Sequence, residues 1–259
     1  MTDSLAFDVH GAGAGLVLIH GTGSSGLGTW GSVLGDLAAE YTVVLPNLPG
    51  SAGSPLPPDG TPLDPDTIAD QIISAARDAG LERFALVGAS LGAPLAVRAA
   101  ARHPEFVTRL ATVCGFAHPR PTLRLNLELL ASMYGRGDED ASKFIAMLSF
   151  SEDYFAALTE EGLQEVLQQV REQRPELGTI AQIALALRLD VRQDLPRIRV
   201  PTLVLTPTGD RFVAPAHSYE IATGIPAARL VRIPGGHASL IEDPRTTLSE
   251  LLPFLGERD

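Results

Sequence analysis

The stretch from Phe84 to Gly92 constrains the fold of this chain most strongly, because a short apolar run passes directly into Gly-Ala-Ser-Leu-Gly. The run Phe84–Val87 is typical of a strand that is buried on both faces. Glycines at positions 88 and 92 permit a sharp turn into the Ala-rich helical stretch that follows, and they leave space beside the serine. Ser90 is therefore predicted to be a nucleophile at the carboxyl end of the strand. The alternative is a turn that serves only strand-to-helix packing.

Similar apolar runs recur along the chain and alternate with amphipathic stretches of helical period. This alternation predicts right-handed crossovers in a doubly wound, mostly parallel sheet, which is an α/β fold. The other predicted strands are Leu16–Ile19, Thr42–Leu45, Leu110–Val113, Thr202–Thr206 and Arg229–Ile233. A chain of 259 residues is long enough for one large domain of this kind with a sizeable buried core.

The alternation stops after Gly115 and resumes near residue 196. Residues 116–195 contain no strand-like run and are predicted to form several helices, interrupted near Gly135, Gly162 and Pro175. We therefore expect an α/β core made of residues 1–115 and 196–259. The helical insertion of residues 116–195 is expected to lie between the two parts of that core.

The composition excludes several classes of function. Lys and Arg number 20 against 31 Asp and Glu, for a formal charge of −11, and an acidic surface disfavours a nucleic-acid partner. The single cysteine, Cys114, excludes a disulfide framework and is expected to be a small buried hydrophobe. No cluster of His, Asp or Glu has metal-ligand spacing, so neither a metal nor another cofactor is predicted. The first apolar run is too short for a signal sequence or a membrane span, which predicts a cytoplasmic protein without a membrane partner.

A serine hydroxyl needs a base to act as a nucleophile, and His237 is the strongest candidate among the six histidines. It lies in the glycine-rich loop after the last predicted strand, at the sheet edge expected for Ser90. Such a base needs a carboxylate that fixes its tautomer, and Asp210 follows the preceding strand at the same edge. The chain order Ser90, Asp210, His237 also suits a triad on such a sheet. The alternative for Asp210 is a surface turn in which it pairs with Arg211.

A second glycine-rich loop, His20-Gly-Thr-Gly-Ser-Ser-Gly26, follows the predicted strand Leu16–Ile19 and reaches the same edge. Its glycines would let backbone N–H groups converge on a developing oxyanion, with the N–H of Leu91 as the second donor. His20 itself is predicted to hold the loop by hydrogen bonds. The loop lacks the Lys-Ser/Thr ending of a phosphate-binding loop. A plain strand-to-helix turn is the alternative.

Together these segments resemble the α/β-hydrolase fold superfamily over nearly the whole chain. The matching segments are the His20-Gly21 loop, the Gly88–Gly92 turn, the turn that ends in Asp210, and Gly236-His237. The resemblance implies that the N–H groups of Thr22 and Leu91 are the oxyanion donors, and that residues 116–195 form a helical lid. Two segments depart from the family pattern. Asn47-Leu-Pro-Gly-Ser-Ala-Gly-Ser54 stands where the family usually has Asp-Leu-Pro-Gly-His-Gly-x-Ser, and Pro207 replaces the glycine that often opens the acid turn.

The predicted lid carries both internal methionines and several aromatic residues. These residues predict a pocket for a small-molecule substrate, lined by Met133, Phe144, Met147 and Phe150 together with His20 and Gly21; the alternative is that they only pack the lid on the core. The leading functional prediction is a serine hydrolase that cleaves a carboxylic ester, lactone or thioester of a small to mid-sized apolar substrate through an acyl-enzyme. The same triad could instead serve C–C bond hydrolysis, acyl transfer, or a lyase or cyclase step. A non-catalytic ligand-binding protein is a further alternative.

Overall fold

The computed structural model describes residues 4–172 and 177–257, so the predicted helix break at Pro175 lies outside the described residues. Its centre is a sheet of strands β1 (Phe7–His10), β2 (Ala14–Ile19), β3 (Tyr41–Pro46), β4 (Phe84–Ala89), β5 (Val107–Val113), β6 (Thr202–Pro207) and β7 (Ala228–Ile233). The strands lie in the order β1-β3-β2-β4-β5-β6-β7, and each neighbouring pair is parallel except β1 with β3. The predicted α/β fold with a doubly wound, mostly parallel sheet is confirmed.

Helices cover both faces of this sheet. Those of the core are α1 (Gly26–Ala38), α2 (Pro65–Asp78), α3 (Gly92–Arg102), α9 (Ala216–Gly224), the single turn α10 (Ser239–Glu242) and α11 (Pro244–Gly256). Successive strand residues point to opposite faces, so Val17 and Ile19 of β2 join one buried cluster and Leu16 and Leu18 join the other. The first cluster also contains apolar residues of α2, α3 and α9, and the second contains those of α1 and α11. The continuous apolar runs of the sequence follow from this burial on two faces.

Strand β1 was not among the predicted strands. It lies at one edge of the sheet, where it pairs antiparallel with β3. Its four residues include Asp8 and His10, and none is fully buried, so the segment carries no apolar run for sequence reasoning to detect.

The segment between β5 and β6 contains the helices α4 (Pro121–Arg136), α5 (Ala141–Ser149), α6 (Glu152–Ala157), α7 (Glu160–Glu172) and α8 (Thr179–Arg188), and no strand among its described residues. Helix α4 ends at Gly137, whose φ of 64° is the left-handed conformation that glycine adopts readily. This agrees with the break predicted near Gly135. The break predicted near Gly162 falls at residues 158–159 instead, and Gly162 lies in the first turn of α7. We refer to residues 116–195 as the insertion.

The parallel strands place their carboxyl ends at one edge of the sheet, and the loops after β2, β4, β5, β6 and β7 meet there. In open α/β sheets this edge is where ligands bind. None of the helices in the described part of the chain has the length and apolar character needed to cross a bilayer.

Candidate active site

Ser90 occupies the sharp turn between β4 and α3. Its φ is 53°, a left-handed conformation that is uncommon for residues other than glycine. The turn depends on close backbone approach: a Cβ on Gly88 would lie 2.1 Å from the carbonyl oxygen of Gly92, and one on Gly92 would lie 2.3 Å from that of Ile19. The Ser90 N–H donates to the carbonyl of Val113 at 3.0 Å. Two glycines and a strained serine thus hold the hydroxyl at the edge of the sheet.

The structure brings Ser90, His237 and Asp210 into one hydrogen-bonded chain. His237 Nε2 lies 3.0 Å from Ser90 Oγ, and His237 Nδ1 lies 2.8 Å from Asp210 Oδ2. The other carboxylate oxygen, Oδ1, accepts from the backbone N–H groups of Phe212 and Val213 at 2.9 and 2.8 Å. Because Asp210 is buried and both of its oxygens are engaged, it can favour the imidazole tautomer with hydrogen on Nδ1. Nε2 is then free to accept the serine proton.

Burial and the neighbouring polar groups shift the pKa of His237 in opposite directions. Burial lowers the pKa of the imidazole, but the charge of Asp210 and the hydrogen bond to it, with the sulfur of Cys114 adding to them, raise that pKa well above its usual value. The ring also stacks on Phe212, with centroids 5.1 Å apart and an interplanar angle of 24°. The site is thus suited to stabilise an imidazolium once a proton arrives.

Cys114 follows β5 and is buried, as the sequence predicted, but it also lies beside the His237–Asp210 pair. One potential ligand atom from each of Cys114, Asp210 and His237 lies within 4.8 Å of the other two, and among the described residues this is the grouping with metal-ligand chemistry. The hydrogen bond between Asp210 and His237 already uses one atom of each side chain. The absence of a resident metal therefore stays a prediction. The position of Cys114 beside the pair could not be predicted from the sequence, since it depends on how the ends of β5 and β6 meet.

The loop after β2 lies directly against the serine. A Cβ on Gly21 would meet the Cβ of Ser90 at 3.1 Å, a tight contact, so a glycine here lets the loop lie close to the serine without displacing it. His20 is fully buried: its Nδ1 lies 2.7 Å from the carbonyl oxygen of Gly21, and its Nε2 accepts from the N–H of Leu48 at 2.8 Å. Burial lowers the pKa of His20 to about 4, so its ring is neutral near pH 7. His20 fixes the loop and does not line the cavity at Ser90.

The two residues expected to provide oxyanion donors lie on either side of Ser90. Thr22 lines the cavity together with Ser90 and His237. Leu91 directly follows Ser90 at the start of α3, and its side chain is buried in the core. The first N–H groups of a helix lack partners within the helix and favour negative charge nearby. The surroundings of Ser90 therefore suit an oxyanion.

Ser90 and His237 open on a cavity of ≈ 180 Å³, whose wall is shared between the core and the insertion. The core provides Thr22, Gly23, Ser24, Ser90, Phe212 and His237, and the insertion provides Leu130, Tyr134, Ile145, Ser149, Val170 and Thr179. Most of the insertion residues are apolar. Burial raises the pKa of Tyr134 to about 12, so its phenol remains protonated.

The four insertion residues predicted from composition, Met133, Phe144, Met147 and Phe150, are not among those that line this cavity. Met147 is 50% exposed on the outer surface, and Phe150 stacks on Tyr154 with centroids 4.9 Å apart. Helical geometry explains the difference, because adjacent residues point about 100° apart on a helix with 3.6 residues per turn. The cavity receives Leu130 and Tyr134 from α4 and Ile145 and Ser149 from α5, each pair spaced by four residues.

A second cleft of ≈ 260 Å³ lies further out between α4, α5 and α7. It shares Tyr134, Ile145 and Val170 with the inner cavity, so these three side chains stand between the two spaces. The outer cleft is also lined by three charged residues and three small ones, Asp138, Glu139, Arg171, Gly137, Ala141 and Ser142. A molecule that extends beyond the inner cavity would pass these three side chains.

Gln182 of α8 joins the insertion to the loop after β2. It is fully buried, its Oε1 accepts from the N–H of Gly23 at 2.8 Å, and its Nε2 donates to the carbonyl of Pro49 and the hydroxyl of Ser51 at 3.0 Å each. Sequence reasoning did not identify this residue. The available signal was a lone amide within the otherwise apolar stretch Ile180–Leu187.

Glu242 joins the insertion to the loop that carries His237. Its Oε1 accepts from the N–H groups of Ser151 and Gly236 at 2.7 and 3.0 Å, and its Oε2 accepts from the hydroxyl of Ser151 at 2.7 Å. The N–H of Ala238 also donates to the carbonyl of Ser149 at 2.8 Å. Of the two residues that flank His237, Gly236 is therefore bonded to the Glu242 carboxylate and Ala238 to Ser149 of the insertion. Glu242 was also not predicted from the sequence.

Comparison with known proteins gives concordant matches over nearly the whole chain. The sequence profile of the alpha/beta hydrolase fold matches residues 16–244. The pyrrolizixenacetamide deacetylase of Xenorhabdus hominickii is 29% identical over 256 residues, covering 98% of this chain and 96% of that protein. RutD of Azorhizobium caulinodans, a carbamate hydrolase by name, is 31% identical over 264 residues with the same coverage, 98% and 96%. A thermophilic esterase from Thermogutta terrifontis superposes with a TM-score of 0.82 at 25% identity, covering 97% of this chain and 92% of the esterase.

Proposed function

The chain belongs to the α/β-hydrolase fold family, and from this premise we propose that it is a serine hydrolase that acts through an acyl-enzyme. Its substrate in this proposal is a carboxylic ester, lactone or thioester with a small to mid-sized apolar acyl group. The observation that carries the proposal is the chain of hydrogen bonds from Asp210 through His237 to Ser90, which ends at a cavity. Fold alone would not support it, because related folds host unrelated chemistries.

In the proposed reaction, Ser90 Oγ attacks the carbonyl carbon while its proton passes to His237 Nε2. Asp210 stabilises the resulting imidazolium, and the N–H groups of Thr22 and Leu91 stabilise the negative charge on the former carbonyl oxygen. His237 then donates its proton to the leaving group, and the acyl group remains on Ser90. In the second half, water attacks the carbonyl carbon of the acyl-enzyme while His237 takes its proton. The bond from that carbon to Ser90 Oγ then breaks, His237 returns the proton to Ser90 Oγ, and the acid is released.

The dimensions of the cavity support a small group at the reacting carbon. A volume of ≈ 180 Å³ is below the range of roughly 300–1,000 Å³ that is typical of sites for drug-sized ligands. The apolar side chains from α4, α5 and α7 suit an alkyl or aryl group rather than a sugar or a phosphate. Larger substrates are expected to place their remaining part in the outer cleft.

A second candidate function is cleavage of an acyl–nitrogen bond, which the two curated relatives favour: one is named a deacetylase of an acetamide and the other a carbamate hydrolase. The same residues would act, but an amine leaves less readily than an alcohol and depends more on the proton from His237. Acetate esters and acetamides with matched leaving groups separate the two functions. A kcat/KM for the amide that approaches that of the ester would favour the second.

A fluorophosphonate probe tests the acyl-enzyme proposal directly, because it reacts only with an activated serine. We expect the wild-type protein to be labelled, Ser90→Ala to be unlabelled, and the control Ser249→Ala, which changes an exposed serine on α11, to behave like wild type. Absence of labelling in the wild type, or equal labelling of Ser90→Ala, would refute the proposal.

The products of the reaction distinguish ester hydrolysis from the other possible uses of the triad. In water labelled with heavy oxygen, hydrolysis places the label in the acid product, whereas acyl transfer to another acceptor, or a lyase or cyclase step, does not. Hydrolysis of a C–C bond would also place the label in the acid product. Its second product would carry a new C–H bond, whereas hydrolysis of an ester or thioester releases an alcohol or a thiol. A binding protein would show no turnover, and Ser90→Ala would not alter its affinity for the ligand.

A further inference from the structure

Gln182 of the insertion bonds directly to the loop after β2 and to the loop after β3. Its side chain is fully buried, and each of its polar groups has a partner in the core. The oxygen accepts one N–H, and the two amide hydrogens go to two different oxygens. A buried amide without such partners would be costly, so this arrangement fixes the position of the side chain.

The bond to Gly23 determines how the loop faces Ser90. Thr22 stands between Gly21, which packs against Ser90, and Gly23, whose N–H is directed to Gln182. Gly23 has a φ of 69°. Because glycine adopts many backbone conformations at similar energy, this residue could change its conformation if the bond to Gln182 were lost. With the Gly23 N–H directed to the insertion, the Thr22–Gly23 peptide cannot turn that group toward the substrate. Of the N–H groups of Thr22 and Gly23, that of Thr22 then remains available for an oxyanion.

Backbone contacts at the start of α8 hold Gln182 in place. The Gly178 N–H donates to the carbonyl of Gly50 at 2.9 Å, and a Cβ on Gly50 would lie 2.3 Å from Gly178 Cα. A Cβ on Gly23 would meet the side chain of Thr179 at 3.1 Å. This end of the insertion is therefore packed backbone to backbone against the core and cannot separate from it without breaking these contacts.

We propose that Gln182 is a positioning residue that sets the oxyanion loop through Gly23, so that the insertion takes part in transition-state stabilisation as well as covering the substrate. This inference rests on the proposed function, since it presumes that the Thr22 N–H stabilises an oxyanion. It predicts that loss of the amide slows the chemical step and leaves substrate binding and the titration of His237 unaffected. The reason is that Gln182 bonds to Gly23, Pro49 and Ser51, and none of these bonds involves Asp210 or His237.

The test compares Gln182→Met with wild type, because methionine has a similar volume but cannot bond to Gly23. We expect kcat and the rate constant of fluorophosphonate labelling to fall by about 10- to 100-fold, which is less than the roughly 100- to 1,000-fold loss on removal of an oxyanion donor. KM is expected to stay within about two-fold of wild type, and the midpoint of the pH–rate profile is expected to be unchanged. Gln164→Met, an exposed position on α7, serves as the matched control.

Labelling separates positioning from folding, since misfolded molecules lower the fraction of protein that can be labelled but not the rate constant of the rest. Gln182→Glu provides a second variant that keeps an acceptor for Gly23, and we expect it to recover part of the rate constant. An unchanged rate constant in both variants, or a loss confined to the labelled fraction, would overturn the inference. Absence of labelling in wild type would instead refute the proposed function itself.

Discussion

The two halves of the candidate site are built differently. In the core half, Ser90, Asp210 and His237 lie just after the strands β4, β6 and β7, backbone hydrogen bonds hold Ser90 and Asp210, and Asp210 is only 4% exposed. In the insertion half, α8 buries five residues and α6 buries none. Among the α7 side chains that the structure describes, Val166 alone is buried. The core half thus holds the three residues of the proposed triad, whereas the insertion half is firmly packed at α8 and the Ser151 junction and loosely packed between them. We therefore expect substitutions in the two halves to differ in their effects on activity.

The largest effect is expected for Asp210→Asn. The asparagine oxygen keeps the bonds from Phe212 and Val213, so its NH2 group faces His237 and imposes the wrong tautomer. We expect kcat/KM to fall by roughly 10⁴-fold, with little change in fold. The base acts when it is neutral, and Asp210 raises its pKa, so activity in wild type should rise with pH through a midpoint above 6.5. The residual activity of the variant should have a lower midpoint; an unchanged midpoint would show that Asp210 does not act on His237.

Cys114 allows the core half to be tested by moving the carboxylate. Its side chain lies near both Asp210 and His237, and its φ of 46° is a conformation that aspartate tolerates better than most residues. We expect Asp210→Ala combined with Cys114→Asp to be about 10- to 100-fold more active than Asp210→Ala alone, because a carboxylate again faces the imidazole. Asp210→Ala with Cys114→Asn is the control. Equal kcat/KM in the two double variants would show that position 114 cannot orient His237.

These core predictions indicate which parts of the site could be inferred from sequence. Ser90 and Asp210 each follow a buried strand, His237 follows the half-exposed strand β7, and parallel strands bring such residues to one edge whatever the remaining contacts are. Gln182 and Glu242 act through partners more than 90 residues away or in another loop, and no local pattern records such pairings. The inward faces of α4 and α5 were also missed, because α5 has apolar residues at positions 144, 145, 147 and 148 and so offers more than one face to the core.

Glu242 tests the junction at which the two halves meet. It bonds to Gly236 beside His237 and to Ser151 of the insertion, so its loss should let the imidazole move relative to Ser90. We expect Glu242→Ala to lower kcat by about 10-fold, since small displacements of a catalytic group are costly. Glu242→Gln should recover most of this loss, because its amide oxygen can still accept from both N–H groups. The exposed Glu165→Ala is the control, and a failure of Gln to exceed Ala in kcat would assign Glu242 a role in stability alone.

The smallest and most selective effect is expected in the loosely packed part of the insertion, at Val170. This side chain stands between the inner cavity and the outer cleft, so Val170→Phe should narrow the passage without touching Ser90 or His237. An overpacked contact costs roughly 1–3 kcal/mol, which predicts a loss of about 10-fold in kcat/KM for substrates that reach the outer cleft. Substrates confined to the inner cavity should change by less than about two-fold.

Two series of esters identify which part of the substrate uses that passage. One series lengthens the acyl group with a fixed leaving group, and the other enlarges the leaving group of an acetate. Because Val170 contributes to both spaces, only the series whose variable part passes it should lose activity with size in Val170→Phe and recover it in Val170→Ala. Leu129→Phe, on the exposed side of α4, is the control for added bulk on the insertion. A uniform loss across both series would mean that Val170 supports the site as a whole, and the loosely packed part of the insertion would then resemble the core half in its effect on activity.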